Sequence, residues 1–443
     1  MMGYEFATYV NKYLEMKGVP TRAIAKIDSN PEKSKHLETA TTKLFDQEID
    51  FCNLRKEVYE EGSRIPTKIT FGTPEEDAYR RDTTINSLFY NVNTNLVEDY
   101  TKQGIPDLIS GLIRTPLEPF ETFFDDPLRV LRCIRFASRF NFQLVPELCD
   151  AAKNPEIKDA LMHKISRERI GIEYEKMITG PHPLLSVRLI HDLELYSVIM
   201  SPPSNIKSGT ISDDYTAVKA VGIVDWLCLQ NRPRIESLKA VTKQEQRTLI
   251  LAASTIPFLG VISEIKRKDI PTVQLVLRDS IKTNNADINT VSTLFTGMSS
   301  LKALAEKNAM EGNVPRSELG MLIRNLGALW STAIKLAAVK DILDAFPDSP
   351  WTRPGEVDEN LAKEIYMKYD ALIEAAHQYG IADCYTWKHL VDGKRSAQIV
   401  GIKPGPQVSE LLKYQMMWIL DHPKGTKEDC EEAIRAFWNT KQQ

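Results

Sequence analysis

The sequence has no apolar run long enough to span a bilayer, and its opening residues do not read as a secretory signal. Cysteine is scarce. Six residues, at positions 52, 133, 149, 228, 384 and 430, form no Cys-x-x-Cys and have no histidine pairs at zinc-ligand spacing. This excludes a disulfide scaffold or zinc ribbon and predicts free thiols in a reducing compartment. A surplus of positive charge is also lacking: the net charge is -4, so the surface is not coated for polyanions and any nucleic-acid contact is local. What is present is ordinary globular material, 443 residues with 42% hydrophobic content, enough for real cores and about three domains.

Two short blocks stand out. Arg80-Arg81-Asp82-Thr83-Thr84-Ile85-Asn86-Ser87 gathers two guanidiniums, a carboxylate, hydroxyls and an amide, donors and acceptors suited to the phosphates and sugar of a nucleotide. Asp125-Asp126-Pro127-Leu128-Arg129 opens a helix near Asp126, because a first-turn proline loses no hydrogen bond and aspartates suit the helix dipole. Along it Val130, Leu131, Ile134 and Ala137 form a buried stripe, while Arg129, Arg132, Arg135 and Arg139 share another face. Four arginines on one face repel one another, which predicts a polyanion such as a triphosphate against them.

Asp126 and Arg129 lie three apart, so a carboxylate acceptor can stand beside a guanidinium donor. Cytosine and adenine each show an amino donor next to a ring-nitrogen acceptor on the pairing edge. Guanine and uracil show a carbonyl next to an N–H, which would leave this pair unsatisfied. Buried polar groups left unpaired make such rejection strong. For an isolated Asp-x-x-Arg, an exposed intrahelical salt bridge is the simpler reading.

Residues 1 to about 118 mix helical stretches with a hairpin, Leu37 to Leu44 returning through Ile49 to Leu54 about an Asp46-Gln47 turn, and a strand near Leu96 to Tyr100. From about 119 onward helical periodicity dominates. It is broken at Ser201-Pro202-Pro203-Ser204 and at Phe346-Pro347-Asp348-Ser349-Pro350. Near the end, Gly401-Ile402-Lys403-Pro404-Gly405-Pro406-Gln407-Val408 predicts a helix start at Pro406, continued by Val408, Leu411, Leu412, Trp418 and Ile419. His191-Asp192 is flanked by Ile190, Leu193 and Leu195 and reads as core packing. Residues 205–345 carry no other legible motif.

At the two blocks the chain resembles the class II tRNA nucleotidyltransferases, the CCA-adding enzymes, in their eukaryotic branch. The likeness extends through Asp50-Phe51-Cys52-Asn53-Leu54-Arg55, Ser63-Arg64-Ile65-Pro66 and Phe71-Gly72-Thr73-Pro74-Glu75-Glu76-Asp77-Ala78. The resemblance implies an α+β chain: an N-terminal, polymerase-β-like nucleotidyltransferase head, truncated, at 1–118, then an all-helical neck at 119–200, body at 201–345 and tRNA-binding tail at 346–443. It puts the ribose and phosphate motif on Arg81, Asp82 and Asn86, and the base template on Asp126 and Arg129. Asp125 stands where a glutamate is usual, and Arg132 and Arg135 are expected at nucleotide phosphates. Gly104-Ile105-Pro106-Asp107-Leu108, with Gly111 and Ile113-Arg114, matches a flexible connecting motif. Glu168, Arg169 and Glu173 match a fifth motif, read here as a helix that braces the neck.

The resemblance also implies Mg²⁺, ATP, CTP and tRNA, with no membrane and no DNA, in the cytoplasm, nucleus or mitochondrion. The family's metal-binding Asp-x-Asp and the Gly-Gly-x-Val-Arg-Asp turn before it do not occur in these residues. Asp46, Glu48 and Asp50 alternate but read as turn and strand-face charges. Asp50 is the exception, aligning with an acidic residue kept near the metal, and is the one catalytic candidate. Three expectations follow: a fragment, an internally initiated isoform, or a non-catalytic paralogue, with any mitochondrial presequence upstream of Met1. The implied function is CCA addition to tRNA 3′ ends. The rivals are a sister activity (CC-only or A-only addition, or poly(A) polymerase) and a catalytically silent tRNA-binding protein.

Overall fold

The computed structural model describes residues 1–27, 39–58, 68–229, 235–349, 351, 358–403 and 405–442. Leu37, the Ser63–Pro66 stretch, Pro350 and Pro404 lie outside the described residues. The chain divides into two compact units, Met1–Ile199 and Met200–Gln443.

The first unit opens with α1 (Gly3–Met16), which packs against an antiparallel sheet of β1 (Ile24–Ile27), β2 (Thr39–Leu44) and β3 (Gln47–Phe51). Gly3 is required at that contact, since a Cβ there would meet the Phe51 carbonyl oxygen at 2.1 Å. The β2–β3 hairpin is the expected one, but its two-residue turn falls on Phe45 and Asp46, both at positive φ (47° and 63°), with Leu44 opposite Gln47. That conformation suits the right-handed twist of the strands better than an uncoiled turn would, and the register follows from it. Next come the β4 (Arg55–Val58) and β5 (Lys68–Phe71) pair, α2 (Pro74–Tyr79), and the β6 (Phe89–Asn91) and β7 (Leu96–Glu98) hairpin.

Helix α2 starts where Thr73 and Glu76 form a reciprocal capping box and Pro74 occupies the first turn. It is short, and its end delivers Arg80, Arg81 and Asp82. After α3 (Gly104–Ser110) and β8 (Leu112–Ile113), α4 (Pro119–Asp125) and α5 (Leu128–Phe140) meet at Asp126-Pro127, and β9 (Gln143–Leu144) pairs in parallel with β8. Helix α5 starts two residues later than Asp126, with Pro127 as its cap. Its stripe is as expected: Val130, Leu131, Ile134 and Ala137 have no exposed surface. The remainder of the unit is helical: α6 (Pro146–Lys153), α7 (Pro155–Lys164), α8 (Arg167–Ile178), α9 (Pro183–Asp192) and α10 (Tyr196–Ile199). In α9 and just after it, Ile190, Leu193 and Leu195 are buried, as core packing requires.

In the second unit the long helix Asn285–Glu311 packs with Trp330–Ala345 and Glu359–Gln378. A small antiparallel sheet of Ile206–Ser208, Ile262–Ile265 and Lys268–Pro271 interrupts the helices; helical periodicity did not reveal it. The tail helix starts at Pro406 as expected, and its fully buried residues include Leu411 and Leu420, with Leu412 and Ile419 only half-buried. All six cysteines are free thiols. No described helix is long and apolar enough to cross a membrane.

Candidate nucleotide site

The site grows from one buried carboxylate. Asp77, on α2 and 1% exposed, accepts from Arg80 Nη2 at 2.5 Å and Nε at 3.0 Å, from Arg81 Nε at 3.0 Å and Nη2 at 2.9 Å, and from the Arg55 main-chain N–H at 3.1 Å. Spacings of three and four along one helical turn allow a single acid to hold both guanidiniums. Arg81 Nη1 also donates to the Asn86 carbonyl at 2.9 Å, and its guanidinium lies over the Phe89 ring, 5.0 Å from the centroid.

Burial pushes the Asp77 carboxyl up, but the Arg80 charge, the hydrogen bonds from Arg80 and Arg55, and Arg81 outweigh it and hold the group below its ordinary range. The sign for stability follows. A carboxyl depressed in the folded state contributes stability above its unfolded pKa and loses it as pH falls towards the folded value. On acidification below roughly pH 4, the unfolding free energy of Asp77→Asn is expected to fall less steeply than that of the parent protein. Parallel pH slopes in chemical denaturation would refute this.

Asp82 is 4% exposed and is completely engaged. Its Oδ1 accepts from the Thr83 N–H and Asn86 Nδ2, both at 2.9 Å, and its Oδ2 accepts from Arg132 Nε at 2.5 Å. The two sequence blocks therefore meet directly. A second link is Arg129 Nη2 donating to the Arg80 carbonyl at 2.9 Å, while Arg129 Nη1 donates to the Thr122 carbonyl at 3.2 Å. Behind them Thr84 Oγ1 donates to buried Asp107 at 2.7 Å, and Arg114 Nε donates to the same carboxylate at 3.3 Å, tying the connecting motif to the first block.

At the α4–α5 junction Asp126 has an extended backbone. Its Oδ1 accepts from the Leu128 N–H at 3.3 Å and its Oδ2 from Arg169 Nη2 at 3.2 Å. Glu173, 4% exposed, accepts from Arg135 Nε at 2.5 Å and Lys176 Nζ at 3.2 Å. Helix α8 thus braces the start and the middle of the arginine helix through Arg169 and Glu173, whereas Glu168 sits exposed in the first turn, where its charge suits the dipole.

Two expectations change. The face of α5 is not four bare arginines: Asp82 neutralises Arg132, Glu173 neutralises Arg135 and Arg129 is buried against carbonyls, while Arg139 stays exposed in the last turn over the Phe140 ring. The simpler reading of Asp126 and Arg129 as an intrahelical salt bridge is also replaced: their bonds run to Leu128 and Arg169, and to Thr122 and Arg80. Asp77 was missed as a site residue, although its spacing to Arg80 and Arg81 was legible.

Asp50 is exposed on β3 and accepts from Thr41 Oγ1 at 2.6 Å. Among the described residues of Met1–Ile199, no group of three His, Cys, Asp or Glu side chains that could hold a metal ion lies wholly within this unit. Asp50 offers one carboxylate, too few to hold a divalent ion alone, so these residues do not fit a complete metal centre.

Residues 1–114 match the family described as Poly A polymerase head domain, and residues 142–204 match the one described as Probable RNA and SrmB-binding site of polymerase A. Among solved structures, a Bacillus stearothermophilus CCA-adding enzyme in complex with CTP superposes with a TM-score of 0.61 at 18% identity, covering 94% of this chain and 85% of that one. Head and helices together define the class, a nucleotidyltransferase with a polymerase-β-like head and a helical remainder. The mitochondrial CCA tRNA nucleotidyltransferase of Candida glabrata is 38% identical across 99% of this chain and 85% of its own length; that of Saccharomyces cerevisiae is 36% identical across 99% and 83%. The chain belongs to the CCA tRNA nucleotidyltransferase family. Nucleotidyl transfer in such enzymes generally uses divalent metal ions.

Proposed function

We propose that this chain serves the addition of CCA to the 3′ end of tRNA from CTP and ATP, with a protein pocket in place of a nucleic-acid template. The observation that carries the reading is the union of the two blocks through Asp82–Arg132 and through Arg129 with the Arg80 carbonyl, across about fifty residues of sequence. Arg81, Asp82 and Asn86 form the grip on sugar and phosphate, with buried Asp82 acting from behind through Asn86 and Arg132, and Arg132 and Arg135 lie on the phosphate side. Asp126 and Arg129 select the base; for this, Arg129 exchanges a carbonyl partner for the base when nucleotide enters. Arg169 and Glu173 hold that apparatus in place, with Glu168 at the start of the same helix. Mg²⁺ is the proposed ion, and Asp50 is the carboxylate of this chain proposed to lie near it.

The finer division also belongs to this proposal: head at 1–118, neck at 119–200, body at 201–345, and a tRNA-binding tail at 346–443. Relatives named mitochondrial fit an intracellular setting. The test is incubation with a tRNA lacking its CCA end, CTP, ATP and Mg²⁺, followed by sequencing of 3′ ends. Ordered C, C, A is expected. Cytidines alone, adenosine alone or a long adenosine run would replace the reading with a sister activity, and unextended but bound tRNA would replace it with a silent binder.

A further inference from the structure

Asp77 is not one of the residues that would touch a nucleotide, yet it is the hub from which the first block is built. Its two oxygens divide the work: Oδ1 takes Arg80 and the Arg55 N–H, and Oδ2 takes both Nε and Nη2 of Arg81. Arg81 has five N–H donors. Asp77 and the Asn86 carbonyl take three of them, and the Phe89 ring covers a face of the guanidinium. The side chain is 29% exposed, so what reaches solvent is a remaining edge with its direction already fixed. A flexible arginine pays rotamer entropy when it meets a ligand, and one held in this way has lost that freedom beforehand.

We infer that Asp77 is a positioning residue for nucleotide binding, acting through Arg81 by presetting the guanidinium edge that meets the sugar and phosphates. The inference rests on the reading of Arg81 as a nucleotide contact. It gives two acids of the joined site different tasks. Asp77 governs the grip common to every nucleoside triphosphate, whereas Asp126 governs the choice of base.

The experiment is equilibrium binding of CTP, ATP, GTP and UTP to the full chain and to Asp77→Asn, Arg81→Ala and the double variant, with thermal melts run alongside. Asparagine keeps the shape and can still accept from the Arg55 N–H. Asp77→Asn is expected to weaken CTP and ATP alike by about tenfold, with the C/A over G/U ratio unchanged. In the Arg81→Ala background the same substitution should cost less than about twofold, because its target is gone. Unaltered affinity in Asp77→Asn, or losses that simply multiply in the double variant, would overturn the inference and leave Arg81 as a contact. If Arg81→Ala alone binds CTP as tightly as the parent, the underlying reading of Arg81 fails and the inference fails with it. Should Asp77→Asn not fold, Asp77→Glu, which keeps the charge and displaces the fork by one methylene, is judged by the same two criteria.

Discussion

Asp126→Ala is expected to abolish the preference for cytosine and adenine, with the affinities of the four ribonucleoside triphosphates converging to within a few-fold. The carboxylate is the acceptor that an amino group on the pairing edge requires, and a carbonyl placed there would leave both oxygens facing each other unpaired. Discrimination of that kind is on the order of hundredfold or more when the site is shielded from water. Asp126 keeps enough exposure, 25% of its side chain, for a ligand to reach it, and Arg169 fixes its other oxygen. Its bond to the Leu128 N–H adds a capping role, so a stability loss of about 1 kcal/mol should accompany the change. Competition binding with all four triphosphates reads the outcome. Retained selectivity would remove Asp126 from the role of base reader.

The largest effect on stability is expected from Glu173→Ala. Arg135, with 11% of its side chain exposed, would be left buried beside Lys176 with its carboxylate gone. Removing one partner of a buried ion pair costs roughly 3–5 kcal/mol, far more than the pair contributes relative to apolar replacements, because the orphaned charge remains desolvated. By contrast, the Arg169–Asp126 pair is 30% and 25% exposed, so Arg169→Ala should cost less than about 1 kcal/mol while still blurring base choice. Denaturant midpoints measure both. Equal costs for Glu173→Ala and Arg169→Ala would contradict the account of how helix α8 supports the arginine helix.

Much of this site could be read from the residues, and the limits of that reading have physical causes. The buried stripe of α5 was legible because 3.6-residue spacing reports a local geometry that tertiary packing then used unchanged. The answer to each arginine was not, since Arg132 meets a partner 50 residues away and Arg135 one 38 residues away. Periodicity carries no information over such distances, and so it left an apparent surplus of positive charge that the fold neutralises at Arg132 and Arg135. The Phe45-Asp46 turn was misplaced by one residue because neither side chain announces a positive φ as glycine or asparagine would. The sheet at 206–271 went unread because its strands are three or four residues long, and Ile206–Ser208 is exposed throughout, with no alternation to betray it. Asp77 could have been found: an acid three and four residues before two arginines at a helix end is a local signal.

Equilibrium binding of CTP, ATP, GTP and UTP to the unaltered chain in the absence of tRNA decides whether a protein pocket chooses C and A. CTP and ATP are expected to bind with similar affinity, and GTP and UTP at least roughly a hundredfold more weakly. Equal binding of all four would contradict that choice.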